Sequence, residues 1–518
     1  MASTAMASAK ERWNCSNKNA RKGALHVQYI LSIDQSTSGT KALLFDQQGA
    51  LVGRADLPHR QIIHPNGYVE HDGLEIYQNV IGSTKKLLSE TGISPDAIAA
   101  IGISNQRETA IVWDKITGIP VSNAVVWQCG RGAAICQQLE QEGFAPMVQR
   151  ATGLPLSPYF SAAKISWIVQ NVPGVREKME KGDLCASTID SWLLWKLTDG
   201  RSFRTDYSNA SRTQLFNIHT LRWDEQICEA FGLSPAMLPQ VCDSDSFFGE
   251  TDFEGLFPHP IPIRGMLGDS HAALFGQGCI QPGTGKATYG TGSSVMINIG
   301  EKPVASKNGL VTSLAWGMQG KVNYVLEGNI NYTGAVTKWL VEDLELIASS
   351  KESGIIAASI DSTEGVYLVP AFTGLGAPYW DSDCRAVICG MNRTTKKAHI
   401  VRAAEEAIAY QITDIVSIAT GEDHVPLKVL NCDGGPTRDH FLMQFQADML
   451  RIPLNVPAIE ELSGAGAAYA AGISSGLYSM EQLMQLRQIT TYLPKMPSEQ
   501  REKLYSGWKA AVSSILTK

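Results

Sequence analysis

The chain has 518 residues, of which 44% are hydrophobic and 18% charged, and its formal net charge is -7. That length exceeds what one hydrophobic core supports and implies two domains or three, while the composition excludes a disordered chain. The acidic balance, with no Lys/Arg stripe interleaved with aromatics, argues against nucleic acid, and no apolar run reaches transmembrane length.

Residues 1–26 are small, polar and basic. They read as a flexible leader or an expression remnant, with an organelle-targeting peptide as the lesser reading. The ten cysteines are scattered without a Cys-x-x-Cys pair. With no secretory signal they are expected to be reduced thiols in a cytoplasmic protein.

Tyr29 to Asp46 reads YILSIDQSTSGTKALLFD. Two apolar runs flank a turn of small and hydroxyl residues, the pattern of a hairpin whose strands cross a core sheet. At its tip Ser36, Thr37, Ser38 and Thr40 offer hydroxyls, Gly39 permits close backbone approach, and Lys41 adds a positive charge, a donor set suited to phosphate oxygens. Asp34, closing the first strand, can hold a divalent ion directly or through water. An ordinary polar hairpin is the competing reading.

A third strand is expected at 51–57, then a helix from about Gly73 to Glu90 with Leu74, Tyr77, Ile81 and Leu88 near the helical period. A short strand at 97–104 stops at Asn105-Gln106-Arg107-Glu108-Thr109, and strands resume at 110–113 and 124–127. Strands that end in polar clusters are where α/β proteins place their sites. Arg107 can donate to a hydroxyl oxygen while Glu108 accepts from its neighbour, a pairing that fits a polyol; a surface ion pair is the plain alternative. A helix is expected at 161–169, and 189–197 is an apolar segment.

The run 261–266 leads through Leu267-Gly268 to Asp269, Ser270 and His271, ahead of a small-residue helix at 272–278. Asp269 can act as general base or metal-linked carboxylate, against the alternative of a helix cap. His71 and His271 read as structural histidines. Gln281 to Gly285 looks like a seam between domains. Beyond it, Lys286 to Gly300 repeats the plan of Ile30 to Phe45, which suggests two related α/β domains closing over one ligand. A strand at 366–369, a long helix at 398–418, a strand at 427–430 ahead of Asp433-Gly434-Gly435, a helix at 441–450 and a Gly/Ala-rich helix at 460–476 complete the pattern. No Gly-x-Gly-x-x-Gly signature and no Walker loop occurs.

Taken together, Asp34–Lys41, Gly67–Asp72, Ser104–Thr109, Gly268–Gln277, Tyr289–Gly292, Val369–Asp381, Asp433–Gly435 and Phe441–Asp448 resemble the FGGY family of carbohydrate kinases, and within it the glycerol-phosphorylating branch. The likeness covers about 28–500. It implies two ribonuclease-H-like domains of the actin/hexokinase type around a central nucleotide cleft, with 27–280 binding polyol and phosphate and 281–518 binding nucleotide. It also implies ATP and Mg²⁺, and transfer of the γ-phosphate to a terminal hydroxyl of a small polyol. By the same resemblance Thr37, Ser38 and Lys41 face the β- and γ-phosphates, and Gly290 and Thr291 hold phosphates from the other side. Gly334, Lys338, Gly434, Gly435 and Asp439 border the nucleotide. Asp34 organises Mg²⁺ together with Asp269, the base, while Trp127 and Phe275 clamp a polyol held by Arg107, Glu108, Tyr159, Asp269 and Ser270.

The departures concern the substrate. Glycerol-phosphorylating members carry Asp-Gln where this chain has Asp269-Ser270, arginine at Lys41, asparagine at Asp439, glutamine at Lys338, and a double arginine at Gly130-Arg131. Glycerol is therefore the first expectation, and a four- or five-carbon polyol or ketose stays open. So does a non-catalytic nucleotide-binding protein of actin-like fold. Close relatives suggest a homodimer or homotetramer, and neither membrane nor nucleic acid is expected as a partner.

Overall fold

A computed structural model describes residues 27–306, 308–459 and 461–517. The expected leader at 1–26, and Glu460 as a helix start, lie outside the described residues. Strand β1 (Tyr29–Gln35) is buried from Ile30 onward, as its continuous apolar run requires of a central strand. It pairs antiparallel with β2 (Gly39–Phe45), placing Asp34 opposite Lys41, and β2 pairs antiparallel with β3 (Leu51–Pro58). On its other side β1 runs parallel to β4 (Ile98–Asn105). After β5 (Gly249–Thr251), β6 (Ile261–Gly268) lies parallel to β4, giving the order β5-β6-β4-β1-β2-β3.

The second sheet repeats this wiring. It contains β7 (Thr284–Tyr289), β8 (Ser293–Gly300), β9 (Val311–Met318), β10 (Lys321–Ile330), β11 (Val429–Asp433), β12 (Leu454–Pro457) and β13 (Ile489–Tyr492), in the order β9-β10-β8-β7-β11-β12-β13. From β10 to β12 the pairings run antiparallel, antiparallel, parallel, parallel. The path from β3 to β6 has the same sequence of pairings. The two strand–turn–strand units thus occupy equivalent places in two α/β domains.

Helix α1 (Gly73–Thr91) is started by Asp72, whose carboxylate accepts from the amides of Leu74 and Glu75, and is ended by Gly92 in the left-handed region. Its buried stripe is Ile76, Tyr77, Val80, Leu87 and Leu88, whereas Leu74 is exposed. Helix α2 spans Asp269–Gly276 and starts three residues earlier than the apolar pattern suggests. Asp269 therefore belongs to its first turn and Gly268 is the cap residue, so the helix-cap alternative for Asp269 does not hold. The 189–197 segment is helical, and β11 continues past Leu430 to Asp433.

The second half supplies α3 (Gly334–Glu342), α4 (Ser350–Ala358), α5 (Lys397–Ser417), α6 (His440–Leu450) and α7 (Leu462–Ser474). Helix α7 crosses to the first sheet and packs on β1, β4, β6 and α2. Its glycine and alanine content makes that possible, since a Cβ on Gly466 would lie 1.8 Å from the Ala272 carbonyl oxygen. A smaller five-stranded sheet carries Val69–His71, Ala110–Asp114, Ala124–Val125 and Leu184–Thr188 beside the first domain. Every cysteine among the described residues is a free thiol. Among those residues no helix is long and apolar enough to cross a membrane.

Candidate active site

The hairpin tip of the first domain sets one wall. Asp34 accepts a hydrogen bond from the Ser104 hydroxyl at 3.1 Å, and its other oxygen lies 3.5 Å from Lys41 Nζ. Burial pushes the Asp34 carboxyl up, and the Lys41 ammonium only partly offsets this. Lys41 donates to Glu461 at 2.6 Å, and Glu461 also pairs with Arg54 at 2.5 Å. The cation expected to face the phosphates is thus held by a carboxylate at the start of α7. Ser38 is exposed at the tip. Thr37 accepts from the Trp127 indole nitrogen at 3.0 Å, joining the phosphate loop to the aromatic wall. Trp127 meets Tyr159 edge-on, with ring centroids 5.7 Å apart.

Beneath this wall lies a buried ionic network that spans both domains. Arg107 forks onto Glu327, with Nη1 to Oε2 and Nη2 to Oε1 both at 3.1 Å. Its Nε donates to Asp269 at 3.1 Å and its Nη2 to the Ser270 hydroxyl at 3.2 Å. Arg212 Nε donates to Glu108 at 2.5 Å. Its Nη1 lies 2.9 Å from Glu327 Oε2, but the geometry is that of an ion pair rather than a hydrogen bond. Ser294, near the start of β8, donates to Glu327 at 3.3 Å. Burial alone would push Glu327 up, yet the two guanidiniums outweigh it and hold the carboxyl well below its usual range. Glu108 adopts φ 60°, a strained backbone for a non-glycine residue and one that recurs where a side chain must be aimed.

Asp269 combines fixation with access. Its Oδ1 accepts from Arg107 and from the Ser270 amide at 2.6 Å, while Oδ2 has no hydrogen bond among the described residues. The side chain is 34% exposed, which leaves that oxygen open to a substrate proton. Asp34 interacts electrostatically with Asp269, so the two carboxylates share one end of the cleft.

In the second domain a cavity of about 1150 Å³ is lined by Gly290, Thr291, Gly334, Lys338, Gly435 and Asp439, along with Glu405 and Phe441. Gly434 is not part of that lining; it precedes Gly435 at φ 101°, and a Cβ there would lie 1.9 Å from the Tyr289 carbonyl oxygen, so only glycine fits. Asp439 caps α6 through the Phe441 and Leu442 amides. Lys338 is largely exposed and pairs with Glu342 at 3.4 Å. Burial, then the nearby Asp439 charge, pushes the Glu405 carboxyl up to about 7. Asp433 ties the domains together, accepting from Gln277, the C-terminal cap of α2, at 2.7 Å and from Thr288 on β7 at 2.8 Å.

One expected contact is not formed. Phe275 is buried in the core, edge-on to Trp316 at 5.3 Å, and does not meet Trp127. It lies six residues beyond Asp269 on α2, about 240° around the helix, and so faces away from the cleft. His71 and His271 are both buried, against Gln106 at 3.3 Å and Ser313 at 3.2 Å respectively. Burial, and secondarily His59, lowers His71 to about 3, which keeps it neutral. Sequence reasoning missed Glu327, Arg212, Ser294 and Glu461. For Glu327 a signal was present, because an acidic residue inside the apolar strand KVNYVLEGNI needs a buried partner.

Comparison with known proteins agrees with this geometry. Residues 29–276 match the N-terminal domain and residues 285–475 the C-terminal domain of the FGGY family of carbohydrate kinases. Glycerol kinase 2 of Thermotoga maritima is 49% identical over 492 residues, covering 95% of this chain and 99% of that protein. Glycerol kinase of a Geobacillus species is 47% identical over 491 residues, covering 94% and 99%. The crystal structure of Plasmodium falciparum glycerol kinase with ADP superposes with a TM-score of 0.90 at 37% identity, covering 95% of this chain and 99% of that one. The repeated sheets, the glycine-lined cavity and the charged cleft belong to one molecule of known kind: the chain is a member of the FGGY family of carbohydrate kinases.

Proposed function

We propose that this protein transfers the γ-phosphate of ATP to a terminal hydroxyl of a small polyol, with glycerol as the substrate and glycerol 3-phosphate as the product. The observation that carries the reading is Asp269, with one oxygen anchored by Arg107 and the other free toward the cleft. The relatives named glycerol kinases, and the similar structure solved with ADP, support both substrates.

The free oxygen of Asp269 takes the proton of the attacking hydroxyl. Arg107 holds Asp269 in place, while Glu108 and Tyr159 address the remaining hydroxyls. Trp127 covers the carbon chain, and its bond to Thr37 fixes that cover relative to the phosphate loop. Thr37, Ser38 and Lys41 approach the phosphates from the first domain, Gly290 and Thr291 from the second. The glycine-lined cavity, with Gly334, Lys338, Gly435 and Asp439 in its lining and Gly434 preceding Gly435, takes the nucleoside. The division of labour is 27–280 for polyol and phosphate and 281–518 for nucleotide, with α7 reaching back across.

Among the described residues no group of three or more His, Cys, Asp and Glu side chains could hold a metal by itself. Mg²⁺ characteristically binds through one or two carboxylates plus phosphate oxygens, and Asp34 with Asp269 is such a pair. When bound there, Mg²⁺ would neutralise phosphate charge. A longer polyol is the second reading, favoured by Ser270: its side chain, accepting from Arg107, reaches less far than the glutamine of glycerol-phosphorylating members and leaves room beside Asp269.

Asp269→Asn is the direct test. It is expected to lower polyol-dependent ADP release by about 10²–10⁴-fold while leaving nucleotide binding intact. A variant that retains most of its turnover overturns the assignment.

A further inference from the structure

One buried cation has no place in the mechanism above. Lys164, in the first turns of the helix Ser161–Asn171, is completely buried. It is not paired with a carboxylate. Its ammonium donates to three consecutive backbone carbonyls, Pro158 at 2.7 Å, Phe160 at 3.1 Å and Tyr159 between them.

Three carbonyl dipoles pointing at one spot repel each other unless a donor-rich cation sits between them, and an ammonium has three donors for three acceptors. The turn so closed is the one that presents Tyr159. Its other ties lead to the same pocket: the Ser161 hydroxyl donates to the Glu108 carbonyl at 3.0 Å. The Phe160 ring lies 5.1 Å from the Arg212 guanidinium, which holds the Glu108 carboxylate. Tyr159 itself meets Trp127 edge-on.

We infer that Lys164 is a positioning residue for the polyol pocket, clamping the Pro158–Phe160 turn so that Tyr159 stands opposite Trp127 beside Glu108. It touches no substrate and acts only through the turn. The groups facing it are Glu108, Cys129, Cys136 and Arg131. None of them replaces its three donors to the carbonyls. The inference rests on the reading of Tyr159 as a polyol contact and extends it to a residue the substrate never meets.

The test separates polyol binding from nucleotide binding. Lys164→Met keeps the length of the stem and removes the donors. It is expected to raise the KM for glycerol about tenfold while the KM for ATP and polyol-independent ATP hydrolysis stay within about twofold. Lys164→Gln keeps two N–H donors, is expected to show a smaller rise, and serves if the methionine variant does not melt cooperatively. Lys164→Arg restores the charge and should recover most of the lost affinity. Tyr159→Phe is measured alongside. If it raises the glycerol KM and neither Lys164→Met nor Lys164→Gln does, the inference falls and the reading of Tyr159 stands. If Tyr159→Phe changes nothing, that reading fails and takes the inference with it. An equal rise in both KM values would mean a general structural defect and would also overturn it.

Discussion

Glu327→Gln probes the network on which the polyol end of the cleft depends. Glu327 has no exposed surface, accepts both arms of the Arg107 fork at 3.1 Å, and lies 2.9 Å from Arg212. Glutamine has nearly the same shape but keeps one acceptor and turns an NH₂ group toward a guanidinium, donor against donor. Breaking a buried ion pair by removing one partner costs about 3–5 kcal/mol, and the surviving acceptor places this case near 3 kcal/mol. For a domain of about 250 residues each kcal/mol moves Tm by about 2–4 °C, so a fall of roughly 6–12 °C is expected. Arg107 also anchors Asp269, so kcat/KM for glycerol at saturating ATP should fall by at least about tenfold. Ser294→Ala is the control: it removes only a half-buried bond of 3.3 Å to the same carboxylate and should shift stability by about 1 kcal/mol or less. The sign with pH follows from the depressed carboxyl. Glu327 contributes stability above its unfolded value near 4.5 and loses it as pH falls, so the variant should show a shallower acid transition. A Glu327→Gln protein that melts within about 2 °C of the parent and keeps its glycerol kcat/KM within twofold would refute the network as a determinant of the site.

Three other perturbations address separate parts of the reading. Asp34→Ala should abolish most turnover and change the Mg²⁺ dependence of the residual rate; an unchanged metal titration would remove Asp34 from the metal site. Ser270→Gln should raise the preference for glycerol over erythritol and xylitol, and a parent enzyme preferring a longer polyol or a pentulose by more than tenfold, about 1.4 kcal/mol, would displace glycerol as substrate. Glu405 is protonated up to about 7 when folded but ionises near 4.5 when unfolded, so stability falls as pH rises between those values by up to about 3 kcal/mol. Glu405→Gln should lose that part of the slope in melts across the window, and a slope identical to the parent's would show that Glu405 is ionised in the fold.

The fold was legible where structure is local. Each hairpin announces itself by two apolar runs around a glycine and hydroxyl turn, and the near-continuous burial of those runs marks them as central strands of a covered sheet. Helix boundaries were blurred where polar residues fall inside the first turn. Asp269, Ser270 and His271 interrupt the apolar pattern, yet all three are helical, because a first turn has free amides for an acidic side chain to satisfy. Leu74 shows the opposite error: it keeps the helical period with Tyr77 and Ile81 but lies about 160° around the helix from Ile76 on the buried stripe, and stays exposed.

The site divides along the same line. Arg107, Glu108 and Asp269 stand at strand ends, where sequence alone marks them as candidates, but what aims them is distant in the chain. Arg107 and Glu327 are 220 residues apart, and Lys41 and Glu461 are 420 apart. Such pairings form only when two sheets close on one cleft, so no local pattern encodes them, and only the cost of burying a lone charge hints that a partner exists. That cost is the usable signal. Glu327 in an apolar strand, Lys164 on a buried helix face and Arg212 beside small residues each break the pattern around them, and each proves to be held by buried partners. Phe275 is the converse case, since an aromatic residue near Asp269 in sequence breaks no pattern and is absorbed into the core. Charged residues at apolar positions, more than aromatic residues near a motif, are therefore what locate this cleft from the sequence.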